Sequence, residues 1–297
     1  MSAEGPVSNP QPAATPSGLA GPPRIAAVLF DHGSRAPGPR RTLGEAMGHL
    51  RERIGGQADV LLRASMEEIE SWHWLPHKLR EAVEDHGAQV VIGVPFFLSM
   101  GRHMGEDNPR TFAEIQAEYP PAVFELARPL LAEPDVTDVL VARVREACSG
   151  QPLDPARSVV ILAAHGNRDP AGVAFRQPIV ERFERELAGQ AAAVREAVLK
   201  FEGDRLLELR LDEAGRRGWN DALVVPVLLG PGRYTEEFIP QVAAAARQRH
   251  PALQVRMARP IGGGPDVADV LARRFAEARA RALARWQALR SGRGDCD

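Results

Sequence analysis

Cysteine is nearly missing from this chain: Cys148 and Cys296 are the only two among 297 residues. Two distant thiols build neither a disulfide framework nor a CxxC metal or iron–sulfur site, and such a low count fits a reducing cytosol. An excess of one charge sign is missing too. Lys and Arg number 37 against 39 Asp and Glu, leaving a formal net charge of −2. No global basic field therefore argues for nucleic acid or an anionic membrane. No run of about 18 apolar residues occurs that could span a bilayer, and the opening residues lack the apolar h-region of a secretory signal. A cytoplasmic protein is the expectation. GxSxG is absent, so Ser34 beside His32 is no hydrolase nucleophile elbow. "GGGPD" at Gly262 follows an apolar run but lacks GxGxxG spacing and any P-loop Lys, which argues against a nucleotide.

What the chain does have is a second copy of itself. "ARPLLAEPDVTDVL" from Ala127 returns as "ARPIGGGPDVADVL" from Ala258, 131 positions on. "FFLSMGRHMGEDNP" from Phe96 returns as "VLLGPGRYTEEFIP" from Val227, also at 131. "FDHGSRAP" from Phe30 pairs with "AAHGNRDP" from Ala163 at 133. Three matches in one order at nearly one spacing define an internal duplication. One chemical difference stands out: His103 of the first copy is Tyr234 in the second.

Within each copy, short wholly apolar runs alternate with segments of helical periodicity. "RIAAVLF", "ADVLLRA", "AQVVIGVPFFL" and "AVFELA" read as strands of the first copy. "SVVILAA", "AVREAVLKF", "DALVVPVLL" and "LQVRMA" read as strands of the second. Helices are expected between them, including one from about Trp72 to His86 ended by Gly87. Strands apolar on both faces, separated by helices, imply parallel sheets covered on both sides. The expected fold is α/β: two tandem, duplicated, doubly wound domains, each with a mainly parallel four-stranded sheet, and a cleft between them. Residues 1–23, rich in Pro, Ser, Ala and Gly, read as a tail. The domains fall at 24–150 and 157–290, hinged at "SGQPLDPAR", with a short tail at 291–297.

Open parallel sheets bind ligands beyond the carboxyl ends of their strands. Three loops of the first copy emerge there: Asp31 to Arg35 after the first strand, Glu67 after the second, and Gly101-Arg102-His103 after the third. They bring two imidazoles and a carboxylate to one edge, and imidazole suits first-row ions such as Fe, Co, Ni and Zn. His73 and His77 have ligand-like i, i+4 spacing, but Pro76 between them fits only the first turn of a helix, so the two need not share a face. His49, His86 and His250, in or at the ends of polar helices, read as structural.

The stretches "VLFDHGSR", "RASMEEIE" and "VPFFLSMGRHMGEDNP" resemble the CbiX/SirB family of class II chelatases, which insert a divalent metal into sirohydrochlorin. The second half resembles the same family as a degenerate copy. This resemblance implies a fused, two-domain form with the tetrapyrrole in the cleft, and an ATP-independent insertion of Co2+ or Fe2+ for cobalamin or siroheme synthesis. It puts the metal-handling pair on His32 and His103 and the acidic partner on Glu67, with His165, Tyr234 and Glu202 as the second-half counterparts. Arg35, Arg102 and Arg168, with Ser34, His165 and Tyr234, become the expected substrate contacts. No nucleotide, nucleic acid or membrane partner is implied, and a monomer or weak homodimer is expected. "SWHWLP" reads as an insertion that could cap the cleft for a smaller substrate, and a non-catalytic metal or tetrapyrrole carrier is the other alternative.

Overall fold

A computed structural model of the chain describes residues 21–67, 71–98, 103–130, 135–166, 168, 173–174 and 176–291, with the side chains of His103 and Asp135 excepted. The first half runs β1 (Ile25–Asp31), α1 (Pro37–Arg53), β2 (Val60–Ser65), α2 (Leu75–Glu84), β3 (Val90–Pro95), α3 (Asn108–Glu118), β4 (Val123–Leu126) and α4 (Asp135–Ala147). The second repeats it: β5 (Ser158–Ala164), α5 (Gln177–Glu186), β6 (Ala193–Val198), α6 (Leu207–Arg216), β7 (Asp221–Val227), α7 (Ile239–Arg249), β8 (Gln254–Met257) and α8 (Pro265–Arg290).

The sheets have orders β2-β1-β3-β4 and β6-β5-β7-β8, and every pairing is parallel. The register repeats as well. Ala26 pairs with Val60 and Ile25 with Val90; Val159 pairs with Ala193 and Ser158 with Asp221. The two tandem α/β units expected from the apolar runs are therefore present.

Alternation along the central strands explains why those runs are unbroken. Ala27 and Leu29 of β1 join one core, shared with Val160 and Leu162 of β5, while Ala26, Val28 and Phe30 face a separate outer core. The shared core also takes Leu43 and Leu50 from α1, Leu140 from α4, Phe183 from α5 and Leu271 and Phe275 from α8. Four helices thus lie in one apolar layer between the two sheets, and the outer helices close each flank.

The helix that ends each half crosses to the other half. α8 packs on β3, β4 and α1, and α4 packs on β7 and α5. The ion pairs across this layer obey a pseudo-twofold rule. Arg128 pairs with Glu277 at 2.8 Å and Arg259 with Glu146 at 2.5 Å, and each residue lies 131 positions from its counterpart. Such reciprocal contacts are those of an isologous dimer interface. Glycine makes the approach close enough: a Cβ on Gly263 would lie 2.2 Å from the Thr42 carbonyl oxygen of α1.

The expected helix from Trp72 is shorter. Ser71–His73 form a 3-10 turn, and α2 starts at Leu75 with Pro76 in its first turn. His77 lies on the helix and His73 on the preceding turn, so the i, i+4 spacing does not create a helical pair. The "SWHWLP" segment is no insertion relative to the second copy either. The strand preceding it repeats at 133 and the helix following it at 132, a difference of one residue.

Candidate active site between the two halves

The strand order 2-1-3-4 places a topological switch between β1 and β3, because the chain leaves these neighbours in opposite directions and opens a crevice beyond their carboxyl ends. β1 delivers Asp31, His32, Gly33 and Ser34 to that crevice. Gly33 has φ of 99°, a left-handed conformation that a side chain disfavours, and this turns the backbone sharply after His32. The Asp31 carboxylate accepts the Gly33 N–H at 3.0 Å, and the Ser34 hydroxyl accepts the Ala36 N–H at 3.1 Å just ahead of α1.

β2 brings Glu67 alongside. Its N–H donates to the His32 carbonyl at 3.0 Å, extending the parallel ladder past the strand ends. The side chains then meet, with His32 Nδ1 3.5 Å from Glu67 Oε1. Both are about half exposed, at 47% and 59%, so the pair sits at an open edge and can meet a hydrated ion. β3 leads to a five-residue π-helical turn, His103–Asp107, which feeds directly into α3. Arg102 lies outside the described residues, and His103 is described by its backbone alone. Among the described residues, no group of three or more His, Cys, Asp or Glu is placed to hold a metal.

A cavity of about 470 Å³ lies where the two halves meet at these strand ends. Asp31, His32, Ser34, Phe96, Phe97 and Leu98 line it from the first half, and His165, Leu228, Leu229 and Gly230 from the second. His32 and His165, the two glycine-flanked histidines of the duplicated motif, thus contribute to one space. Arg35 is exposed on the same loop as His32.

The second copy keeps the geometry and changes the chemistry. Tyr234 opens the matching π-helical turn, Tyr234–Phe238, and its ring stands edge-on to His165 with centroids 5.1 Å apart. The His165 Nδ1 lies 3.1 Å from the Gly166 carbonyl. Burial holds this imidazole below the usual histidine range, and the nearby Lys200 ammonium lowers it further. The carboxyl of Asp31 moves the other way: burial raises it, against the opposing Gly33 hydrogen bond and the Arg63 charge.

Hydrogen-bond register corrects one expected counterpart. Met66 N donates to Asp31 O in the first copy and Leu199 N to Ala164 O in the second, at 2.9 Å in each. Met66 therefore matches Leu199, and Glu67 matches Lys200 rather than Glu202. Glu202 turns into the domain instead, where both its oxygens lie 2.8 Å from Nη2 of the buried Arg176. Arg176 also reaches Glu196 at 2.9 Å. The same register pairs Asp31 with Ala164. Along the matched positions, Asp31, His32, Glu67 and His103 become Ala164, His165, Lys200 and Tyr234.

Three further residues join the site that sequence reasoning passed over. Asp31 was in plain view inside "FDHGSR" but carried no metal-like signal of its own. Lys200 was hidden by Glu202 two residues on. Phe201 is 46% exposed, has φ of 77°, and lies under the Arg168 guanidinium and the Lys200 ammonium, each 4.6 Å from its ring centre.

The profile of the CbiX family matches residues 26–147 and again 159–278. The chain belongs to the CbiX family, with two copies of its domain in tandem. Among solved structures it is similar to SirB from Bacillus subtilis with Fe3+, at TM-score 0.72 and 20% identity over 89% of this chain and 98% of that one. It is also similar to the sirohydrochlorin chelatase SirB from Bacillus subtilis subspecies spizizenii in complex with cobalt, at 0.67 and 20% over the same shares. CbiX, described as the terminal enzyme for siroheme biosynthesis in denitrifying bacteria, matches at 0.58 and 19%, over 86% of this chain and 99% of that one. No curated protein matches the chain. At such identities the likeness carries the fold. No helix among the described residues is long and apolar enough to cross a membrane.

Proposed function

We propose that this chain is a metal chelatase that inserts a divalent cation, Co2+ or Fe2+, into sirohydrochlorin in the cleft between its halves. The observation that carries this reading is the His32–Glu67 pair at the edge of a cavity of about 470 Å³ walled by both halves. The family and the named activity of the SirB relatives support it. Metallation requires the ion to shed water and two pyrrole N–H groups to lose their protons. An imidazole can hold the ion or accept a proton, since its pKa lies near working pH. His32 and His103 take these roles, and Glu67 stabilises the approaching dication through its charge.

The His32–Glu67 pair is half-exposed, which leaves it open to water and to an ion in transit to the ring nitrogens. Imidazole and carboxylate discriminate poorly among Fe, Co and Ni, so the choice of metal follows supply. Arg35, Arg102 and Arg168 orient the substrate's carboxylates, with Ser34 on the same lip. His165, with Tyr234 packed edge-on against it, stands on the facing side, and one chain supplies both sides, which suits a monomer or a weak homodimer. Mixing protein and sirohydrochlorin with Co2+ or, in a parallel assay, Fe2+ and following the absorbance tests the reading. Acceleration over the spontaneous rate, lost in His103→Ala, is expected. No acceleration by the unaltered protein with either metal contradicts it.

A further inference from the structure

At the position where the first half places Glu67 beside a histidine, the second half places Lys200. This inversion is accompanied by a conformational cost. Phe201 is the one non-glycine residue with positive φ among the described residues, at 77°. A left-handed Phe is conformationally unfavourable, yet it leaves an aromatic ring half-exposed beside His165, at a centroid distance of 6.0 Å. Gly166 lets the two loops close on each other, since a Cβ there would lie 2.0 Å from the Lys200 carbonyl oxygen. Arg168 and Lys200 have their charged ends over the Phe201 ring, and Lys200 also lies 5.6 Å from the Tyr234 ring centre. The acids Glu196 and Glu202 pair instead with Arg176 and Arg205.

We infer that Lys200 and Phe201, with Arg168, form a docking subsite for a flat, carboxylate-bearing macrocycle, and that Lys200 sets its specificity for anions. The inference rests on the chelatase reading and assigns its substrate-holding side. Two cations held over a half-exposed aromatic ring present positive charge beside apolar surface. A ring with peripheral carboxylates can pair with the cations and pack its apolar edge against the exposed part of Phe201. The same ammonium repels a divalent cation, which leaves the ion to the His32 side.

The test is a titration of metal-free sirohydrochlorin into the full chain, followed by metallation assays on the same samples. Lys200→Glu is expected to raise Kd about tenfold or more, while kcat at saturating sirohydrochlorin falls less than about threefold. Phe201→Gly is expected to raise Kd several-fold while the melting temperature holds or rises, because glycine favours that φ. A purely structural Phe201 would give the reverse: lower stability and unchanged Kd. Unchanged Kd in both variants, with metallation intact, overturns the subsite and leaves the chelatase reading standing. Binding that depends on Lys200 in a protein that does not accelerate metallation overturns the chelatase reading and leaves the subsite. No binding by the unaltered protein overturns both.

Discussion

The two strand-end clusters share a backbone and differ in almost every reactive group. Each has a histidine after its first strand, a left-handed glycine next to it, and a π-helical turn before its third helix. In the first, a carboxylate stands 3.5 Å from the histidine. In the second, the matched residue is Lys200, Asp31 is replaced by Ala164, and an aromatic residue, Tyr234, stands at the position of His103. Duplication of a dimer-forming unit explains the shared part, since the crossed Arg–Glu pairs still obey a twofold relation. Once both sites lie in one chain, each can change alone. On the chelatase reading, one side keeps the donors for a cation, and the lysine of the other repels a cation and suits an anion.

Converting the first side into the second removes the most activity. His103→Tyr is expected to lower the metallation rate by about a hundredfold or more, because the proposed mechanism assigns this imidazole to the ion. A stopped-flow or absorbance assay at saturating sirohydrochlorin reads it. Glu67→Lys comes next, with a loss of about tenfold in kcat/KM that grows at low ionic strength, since it replaces attraction for the cation with repulsion.

A smaller effect appears in stability against pH. The folded state holds His165 below the 6.5 of an unperturbed imidazole, chiefly by burial. Below that value the unfolded chain binds more protons than the folded one, so stability falls as pH drops through this window and is regained above it. Melting temperatures from about pH 7.5 to about pH 5.5 should therefore decline less steeply in His165→Phe than in the unaltered chain. The smallest change is expected from Tyr234→Phe, which keeps the ring edge against His165; KM should rise by no more than about twofold.

Much of this fold was legible in the sequence for a physical reason. Strands buried on both faces must be continuously apolar, and the offsets of 131 and 133 locate the copies without any structure. Strand-end histidines then follow from where parallel sheets bind ligands. What the sequence hid depends on long-range register. "LKFEGD" offers an acid at Glu202, and only the ladder from Leu199 to Ala164 shows that Lys200 occupies the matched place. The crossing of α8 onto the first sheet was equally hidden, because amphipathic spacing says that a face is buried and not against which partner. Arg143 and Arg274, 131 positions apart, would pass for surface residues. Both are almost completely buried, and Arg143 donates to the Ile261 carbonyl at 2.6 Å and pairs with Asp266 at 2.7 Å. Nothing in the sequence announced the positive φ of Phe201.

The most direct measurement compares His32→Ala with His165→Ala in one metallation assay, each over a full range of sirohydrochlorin concentrations. The division of labour predicts that His32→Ala loses about a hundredfold in kcat. His165→Ala should keep kcat within about threefold and raise KM instead. Equal losses of kcat in the two variants, or a larger loss in His165→Ala, would contradict the assignment of the ion to the first half.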